Sequence, residues 1–127
     1  FRCSLQLHAD KCETNYFISG EADIIRGYVI NPALVATYKS AESEDEKEKV
    51  VEQMRKTTSH INWEDYTKKM IAPDSFSSVP GMVHRVTAVI DCLAYEVSTP
   101  ELNDVIRLQD DKNRKSGNIA LEHRPVK

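Results

Sequence analysis

Cysteine is scarce in this sequence, and its spacing excludes two kinds of site. The chain contains three cysteines, Cys3, Cys12 and Cys92. Their number is odd and no two of them form a C-x2-C pair, so we predict neither a disulfide framework nor a thiolate zinc site. We expect plain reduced thiols and assign Cys12 no catalytic role.

Long apolar runs and an excess of positive charge are also missing. No run approaches the roughly 20 apolar residues that span a bilayer, and the amino end lacks a charged start followed by an apolar signal segment. The net charge of -3 disfavours nonspecific nucleic-acid binding, which needs many Lys or Arg contacts to phosphate. We therefore expect one cytoplasmic domain that binds neither membrane nor nucleic acid.

Four potential metal ligands lie in two distant segments of the chain. Gln6 and His8 are two residues apart, so their side chains share one face of a predicted strand. Glu13 follows after a short turn, and the segment Pro80-Gly81-Met82-Val83-His84 supplies His84. An amide oxygen, two imidazoles and a carboxylate suit a divalent ion such as Zn, Mn, Fe, Co or Ni, with positions left open for substrate.

Three further residues are weaker candidates for ligands. Asp10, two residues after His8, could ligate instead if the turn is tight. His60 and His123 lack any supporting pattern. The predicted metal site therefore consists of Gln6, His8, Glu13 and His84.

The spacing of these ligands resembles the two motifs of the cupin superfamily, G-x5-H-x-H-x3,4-E-x6-G and G-x5-P-x-G-x2-H-x3-N. Gln6 and His8 stand at the two histidines of the first motif. Glu13 stands at its glutamate and Gly20 at its closing glycine. His84 stands at the histidine of the second motif.

The resemblance extends to one group of cupins. The segment SLQLH is similar to the cupin domain of type II mannose-6-phosphate isomerases. So is the tail, in which Glu96-Val97 is followed by DVIRLQD (residues 104–110) and Arg114. The chain departs from the second motif at Val79 and Ala88, where the family has Pro and Asn.

The resemblance implies an all-β fold, a single cupin domain over residues 1–127 built as a double-stranded β-helix or jelly-roll barrel. Cupins usually separate the two motifs by a short connection, so residues from about 32 to 66 are interpreted as an insertion. The sequence from about 99 to 127 is predicted to be a polar, mobile C-terminal tail.

One helix is predicted inside the insertion, from about residue 44 to 56. Ser43 and Glu46 have the spacing of a capping box, and acidic residues in the first turn complement the helix dipole. Only Val50, Val51 and Met54 form an apolar stripe, so we expect this helix on the surface.

Strands are predicted where β-branched and aromatic residues cluster between turn signals. We expect two or three short strands within Tyr16–Ile30, broken at Gly20 and Gly27. The other predicted strands are Thr67–Ala72 and Ser75–Val79 around a Pro73-Asp74 turn, and Val83–Ile90 and Cys92–Val97 paired around Asp91.

The resemblance also implies an activity, the metal-dependent aldose-ketose isomerisation of a sugar or sugar phosphate. The ion polarises the carbonyl and adjacent hydroxyl of an open-chain sugar while a base moves a proton between C1 and C2. Lys11 and Glu13 are near enough to be the base, and Arg85 or Arg107 could hold a phosphate. The predicted catalytic residues are Lys11, Arg85 and Arg107. A contact with a phosphate or with the mouth of the barrel is also considered for Asp104, Arg107, Asp110 and Arg114.

Two other functions are compatible with the same sequence pattern. A metal-dependent cupin dioxygenase would use the open positions of iron for oxygen. A noncatalytic cupin would bind a sugar or a carboxylate without turnover. Whichever of the three functions applies, a homodimer is expected, because cupin barrels often pair through edge strands.

Overall fold

Six strands and two α-helices lie within residues 2–117, the part of the chain that the computed structural model describes. In chain order the elements are β1 (Leu5–His8), β2 (Glu13–Val29), α1 (Pro32–Ser40), α2 (Glu44–Thr58), a 3-10 helix (Trp63–Tyr66), β3 (Thr67–Ile71), β4 (Ser75–Ser78), β5 (Met82–Ser98) and β6 (Val105–Gln109). Within this range neither α-helix combines the length and the apolarity needed to cross a membrane.

All strands belong to one antiparallel sheet. The hydrogen-bonded order is β3-β2-β5-β1-β6, and β4 pairs with β2 as well. The expected all-β fold is confirmed only as a mostly β-structure, because two α-helices and a 3-10 helix accompany the sheet. Among residues 2–117 the sheet is open, with β3 and β6 as its ends, so the closed barrel predicted from the cupin motifs is not confirmed.

Two strands of 17 residues each dominate the sheet. β2 and β5 pair from Glu13↔Ser98 to Val29↔Met82. The predicted breaks at Gly20, Gly27 and Asp91 are wrong, because both strands continue through them. The register shifts on both sides of Gly20 and between Ile25 and Tyr28, so the glycines mark irregularities in a long strand rather than turns between short ones.

The helix predicted in the insertion is confirmed, with bounds of Glu44–Thr58. Ser43 caps it, and its Oγ accepts a hydrogen bond from the Glu46 N–H at 3.1 Å. A second helix, α1, was not predicted. Asn31 caps α1 through a 3.0 Å bond from the Ala33 N–H, and Pro32 occupies its first position, which is a known start signal.

The larger core lies between the sheet and the two helices. From α2 it includes Val51 and Met54, both fully buried, and from the sheet Leu7 and Ile106. The prediction of a surface helix with a narrow apolar stripe is confirmed: Val50, Val51 and Met54 pack into the core, and most of the other side chains of α2 are exposed. The smaller core is formed by side chains of β2, β3 and β4, namely Phe17, Ala22, Ile24, Met70 and Phe76.

Strand β6 falls inside the predicted polar tail. Its Val105 and Ile106 are fully buried, and it pairs with β1 through residues such as Ile106 opposite Leu7. Helix α2 covers this outer strand, because Arg55 donates hydrogen bonds to the carbonyls of Arg107 and Leu108. The tail prediction for residues beyond 117 lies outside the described part.

We expect Gly20→Ala to lower the free energy of unfolding more than Gly27→Ala. Both glycines have positive φ, +91° and +96°, so either alanine carries backbone strain of order 1–3 kcal/mol. A Cβ at Gly20 would also lie 2.2 Å from the Asp91 carbonyl oxygen, whereas one at Gly27 meets no described atom within 4 Å beyond its chain neighbours. Urea denaturation of both variants measures the difference, and equal losses would contradict this account.

Candidate metal centre

The register of β1 and β5 places the two predicted histidine ligands side by side. Gln6 of β1 is the ladder partner of His84 in β5, and His8 lies two residues further on the same face of β1. The Pro80-Gly81 turn is fixed to the end of β1, since the Gly81 N–H donates to the His8 carbonyl at 2.9 Å. The two imidazole rings consequently lie with their centroids 5.3 Å apart.

Glu13 joins them from the opposite end of the β2–β5 ladder. Glu13 is paired with Ser98, and His84 lies 14 residues before Ser98 on the same strand. A straight strand would separate these two residues by about 46 Å at about 3.3 Å per residue. Since Glu13 Oε1 lies only 3.0 Å from His84 Nε2, the ladder curls until its two ends meet.

His8, Glu13 and His84 form a compact buried cluster, as the sequence predicted. One ligand atom from each lies within 4.8 Å of the others. Glu13 Oε1 is 3.0 Å from His84 Nε2, and Glu13 Oε2 is 3.6 Å from His8 Nε2. None of the three residues is more than 5% exposed.

Each histidine is anchored through Nδ1 and turns Nε2 toward the carboxylate. His8 Nδ1 lies 3.3 Å from Asp104 Oδ1, and His84 Nδ1 lies 3.1 Å from the Met82 carbonyl oxygen. Both Nε2 atoms are buried and face the Glu13 carboxylate, at 3.0 Å for His84 and 3.6 Å for His8, without an aligned hydrogen bond. Metal-bound histidines usually donate their other ring N–H to a carboxylate or carbonyl, so these residues fit a divalent ion held by two Nε2 atoms and Glu13.

Neighbouring charges balance the buried carboxylate of Glu13. Lys11 Nζ lies 3.1 Å from Glu13 Oε2 and 3.4 Å from Glu96 Oε2. Burial alone would raise the pKa of Glu13, but its contacts with His8 and His84 hold that pKa well below its usual range. Burial and the adjacent Glu13 both raise the pKa of Glu96. Burial opposes ionisation of Lys11, yet the attraction of Glu13 raises the pKa of Lys11 overall.

Asp104 lies behind His8 and also holds the turn after β1. Burial would lower the pKa of His8, but Asp104 and Glu13 raise it to about 9. Asp104 Oδ2 accepts hydrogen bonds from the Asp10 and Lys11 N–H groups at 2.9 and 2.7 Å. These bonds and His8 outweigh burial and lower the pKa of Asp104.

Gln6 is buried next to His84, at the position predicted for a fourth ligand. Its Oε1 accepts a hydrogen bond from the Ser4 hydroxyl, which uses one of the two lone pairs of that oxygen. Its role as a ligand stays a prediction. Asp10, the alternative ligand, forms a 2.6 Å ion pair with Lys39 at the surface.

His60 does not join the cluster and is exposed after α2. His123 lies outside the described residues. Among residues 2–117, His8, Glu13 and His84 are the only group of three or more His, Cys, Asp or Glu side chains close enough to share a metal ion.

The three predicted catalytic residues have different surroundings. Lys11 is buried against Glu13, beside the metal-ligand candidates. Arg85 follows His84 in β5 and therefore points to the other face of the sheet, where it donates to the Cys3 carbonyl at 3.0 Å. Burial lowers the pKa of Arg85.

Arg107 is fully buried in β6 and donates a short hydrogen bond to the Lys115 carbonyl. It lines a groove of about 650 Å³ between α2 and residues 107–116, and Asp110 and Arg114 also line it. None of the three metal-ligand candidates lines this groove. The predicted roles of Arg85 and Arg107 in holding a phosphate stay predictions.

Two residues belong to the site although no role at the metal was predicted for them. Asp104 was considered for a contact with a phosphate or with the barrel mouth, and Glu96 only as part of the tail that resembles the isomerase domain. Their positions in the segments that resemble the isomerase domain were the available signal. Neither spacing nor periodicity could show that they approach His8 and Lys11, because these contacts depend on the pairing of β1 with β6 and of β2 with β5.

Comparison with known proteins adds no relative. No protein-family model matches the chain, and no curated protein or solved structure matches it significantly.

We expect metal-free protein to lose stability as the pH rises through about 9. The pKa of His8 is about 9 in the folded protein and about 6.5 in an unfolded chain. Because the pKa is higher in the folded state, protonated His8 stabilises the fold fully below about pH 6.5. This contribution falls as the pH rises and is lost above the folded-state pKa of about 9. Urea unfolding in the presence of chelator, at several pH values, measures it.

His8→Asn is the matched variant for this experiment, because it keeps a polar side chain but cannot become charged. The component lost near pH 9 should be missing from the variant. An identical pH profile in both proteins would contradict the assignment to His8.

Proposed function

We propose that the protein is a cupin that binds one divalent metal ion through His8, Glu13 and His84. The observation that carries the proposal is the pair of buried Nε2 atoms, both turned to one carboxylate while an oxygen holds each Nδ1. Two imidazoles and a carboxylate are ligands for Zn, Mn, Fe, Co or Ni. Gln6 is the candidate for a fourth ligand.

The curl of the β2–β5 ladder supports the cupin assignment. Two motif-like segments, residues 6–20 and 80–84, are far apart in sequence, yet their ligand candidates meet inside the curl. In a cupin the metal lies within a barrel of antiparallel strands, and a strongly curled antiparallel sheet is the corresponding arrangement here.

The proposed activity is aldose-ketose isomerisation of a sugar or sugar phosphate, as in the mannose-6-phosphate isomerases that the chain resembles. When bound, the ion supplies a Lewis acid for the carbonyl and adjacent hydroxyl of the open-chain sugar. The protein must then supply a group that moves a proton between C1 and C2.

Glu96 and Lys11 are suited to the proton chemistry. The Glu96 side chain is 41% exposed, so it reaches the solvent side of the buried cluster, and its raised pKa suits a group that accepts and returns a proton. Lys11 has a raised pKa and stays protonated, which suits donation of a hydrogen bond to a substrate oxygen. We assign Glu96 as the base and Lys11 as the donor.

Removal of one ligand should remove the bound metal. Protein purified without chelator should contain about one equivalent of a divalent metal, and His84→Ala should lose it because one of three ligands is removed. His60→Ala is the matched control, since His60 is exposed and outside the cluster. Elemental analysis of the three proteins measures the effect.

Turnover separates the isomerase from the other metal-binding functions. Metal-loaded protein should interconvert mannose 6-phosphate and fructose 6-phosphate at a rate proportional to bound metal, and Glu96→Gln should lower kcat by about 10²–10⁴-fold. Bound metal without turnover of any sugar phosphate would overturn the isomerase assignment and leave a binding cupin.

A dioxygenase is the second candidate, and a specific observation favours it. The three residues that meet are two histidines and one carboxylate, which is the ligand set of nonhaem iron oxygenases. Oxygen consumption by the iron-loaded protein with a small organic substrate would support it.

The proposal includes a homodimer formed through an apolar face of the sheet. Tyr16, Ile18, Tyr95 and Val97 are all between 46% and 66% exposed, and Tyr16 is the ladder partner of Tyr95. These side chains carry no charge, so two copies of the face can meet without like-charge repulsion. A two-fold interface uses the same patch on both subunits.

Analytical ultracentrifugation should therefore give a dimer that Tyr95→Glu converts to a monomer. Val79→Glu is a control, because Val79 is similarly exposed at 49% but lies outside the paired segments of β2 and β5. A monomer in the unmodified protein would contradict the dimer.

A further inference from the structure

Asp104 connects His8 with the turn that carries Lys11. It is 8% exposed and immediately precedes β6. Its Oδ1 lies 3.3 Å from His8 Nδ1, and its Oδ2 accepts from the Asp10 and Lys11 N–H groups. Its backbone carbonyl also accepts from the Ala9 N–H at 3.0 Å. One residue thus serves both a ligand candidate and the turn beside it.

We propose that Asp104 is a positioning residue that keeps the proton of neutral His8 on Nδ1 and the lone pair on Nε2, facing Glu13. The inference rests on the proposed metal site. A neutral imidazole has one N–H, and a carboxylate faces each ring nitrogen of His8. Asp104 Oδ1 is closer to Nδ1, at 3.3 Å, than Glu13 Oε2 is to Nε2, at 3.6 Å, and Glu13 Oε2 is also paired with Lys11 Nζ at 3.1 Å. These contacts favour the proton on Nδ1. The Met82 carbonyl does the same for His84.

The two functions of Asp104 can be separated by substitution. In Asp104→Asn the side-chain carbonyl can still accept from Asp10 and Lys11, which leaves the amide NH2 facing His8 Nδ1. His8 Nδ1 must then accept a hydrogen bond from this amide, so the ring proton moves to Nε2. The Nε2 lone pair that a metal needs is thereby lost. Asp104→Ala removes the turn contacts as well but leaves the tautomer unconstrained.

Zinc affinity and fold stability should therefore rank the variants differently. We expect Asp104→Asn to weaken zinc binding about 10–100-fold, at least as much as Asp104→Ala, while its urea midpoint stays closer to that of the unmodified protein. If Asp104 only supported the turn, the asparagine would rescue both properties relative to alanine. Zinc binding by Asp104→Asn that equals the unmodified protein, or exceeds Asp104→Ala, would overturn the inference.

Asp110→Asn is the matched control for these titrations. Asp110 lies just after β6 and pairs with Arg114 at 2.9 Å, and it contacts neither His8 nor the turn that carries Lys11 in the described hydrogen bonds. Its zinc affinity should equal that of the unmodified protein. Competition with a chromophoric chelator measures all four proteins.

The ring ¹⁵N shifts of His8, recorded without metal at about pH 10, separate failure of this inference from failure of the metal site. A protein that binds no zinc would refute the proposed function but would still report its tautomer. Nδ1–H in the unmodified protein and Nε2–H in Asp104→Asn support the inference. The same tautomer in both proteins overturns it.

Discussion

The curl of the β2–β5 ladder is the constraint on which the rest of the structure depends. Because β2 pairs with β5 along its whole length, Glu13 would lie far from His84 if the strands were straight. The irregularities near Gly20 and Gly27 provide the bends, and a Cβ at Gly20 would collide with the Asp91 backbone. The glycines therefore serve the site from a distance, through the shape of the sheet.

The same curl buries a group of ionisable side chains that would be costly if any were isolated. Lys11, Glu13 and His8 are each at most 5% exposed, and burying a charge without a partner costs several kcal/mol. Here each charge lies next to an opposite one, and Asp104 adds a second negative charge behind His8. The cluster can remain folded without metal, with the proton on His8 replacing part of the positive charge that an ion would bring.

A metal-free and a metal-bound site would then share one set of contacts. Metal binding displaces a proton from the site, because a histidine ligand must be neutral. The Nδ1 partners need not change, since Asp104 and the Met82 carbonyl accept in both states. The hydrogen bonds of Asp104 and the Met82 carbonyl to the two Nδ1 atoms therefore stay the same with and without metal.

Local signals in the sequence predicted some parts of the structure well. The spacing of His8, Glu13 and His84 predicted residues that do meet, and the Ser43 cap predicted the start of α2. The Asn31-Pro32 pair is a start signal for α1 that is visible in the sequence.

Other features could not be predicted because they depend on tertiary contacts. Whether Gly20 ends a strand or bends it depends on the partner strand, which here continues past it. The packing of α2 depends on the apolar faces of β1 and β6. Strand β6 has only 5 residues and is flanked by polar sequence, so it was included in the predicted tail. The contact of Asp104 with His8 joins residues near opposite ends of the chain.

Anomalous diffraction from a crystal grown with zinc or manganese is the most direct test of the metal centre. The account predicts one strong anomalous peak at bonding distance from His8 Nε2, His84 Nε2 and a Glu13 oxygen, with the Asp104 contact to His8 Nδ1 retained. A fully loaded crystal whose peaks all lie elsewhere, with Glu13 still paired to Lys11 and the histidines, would contradict it.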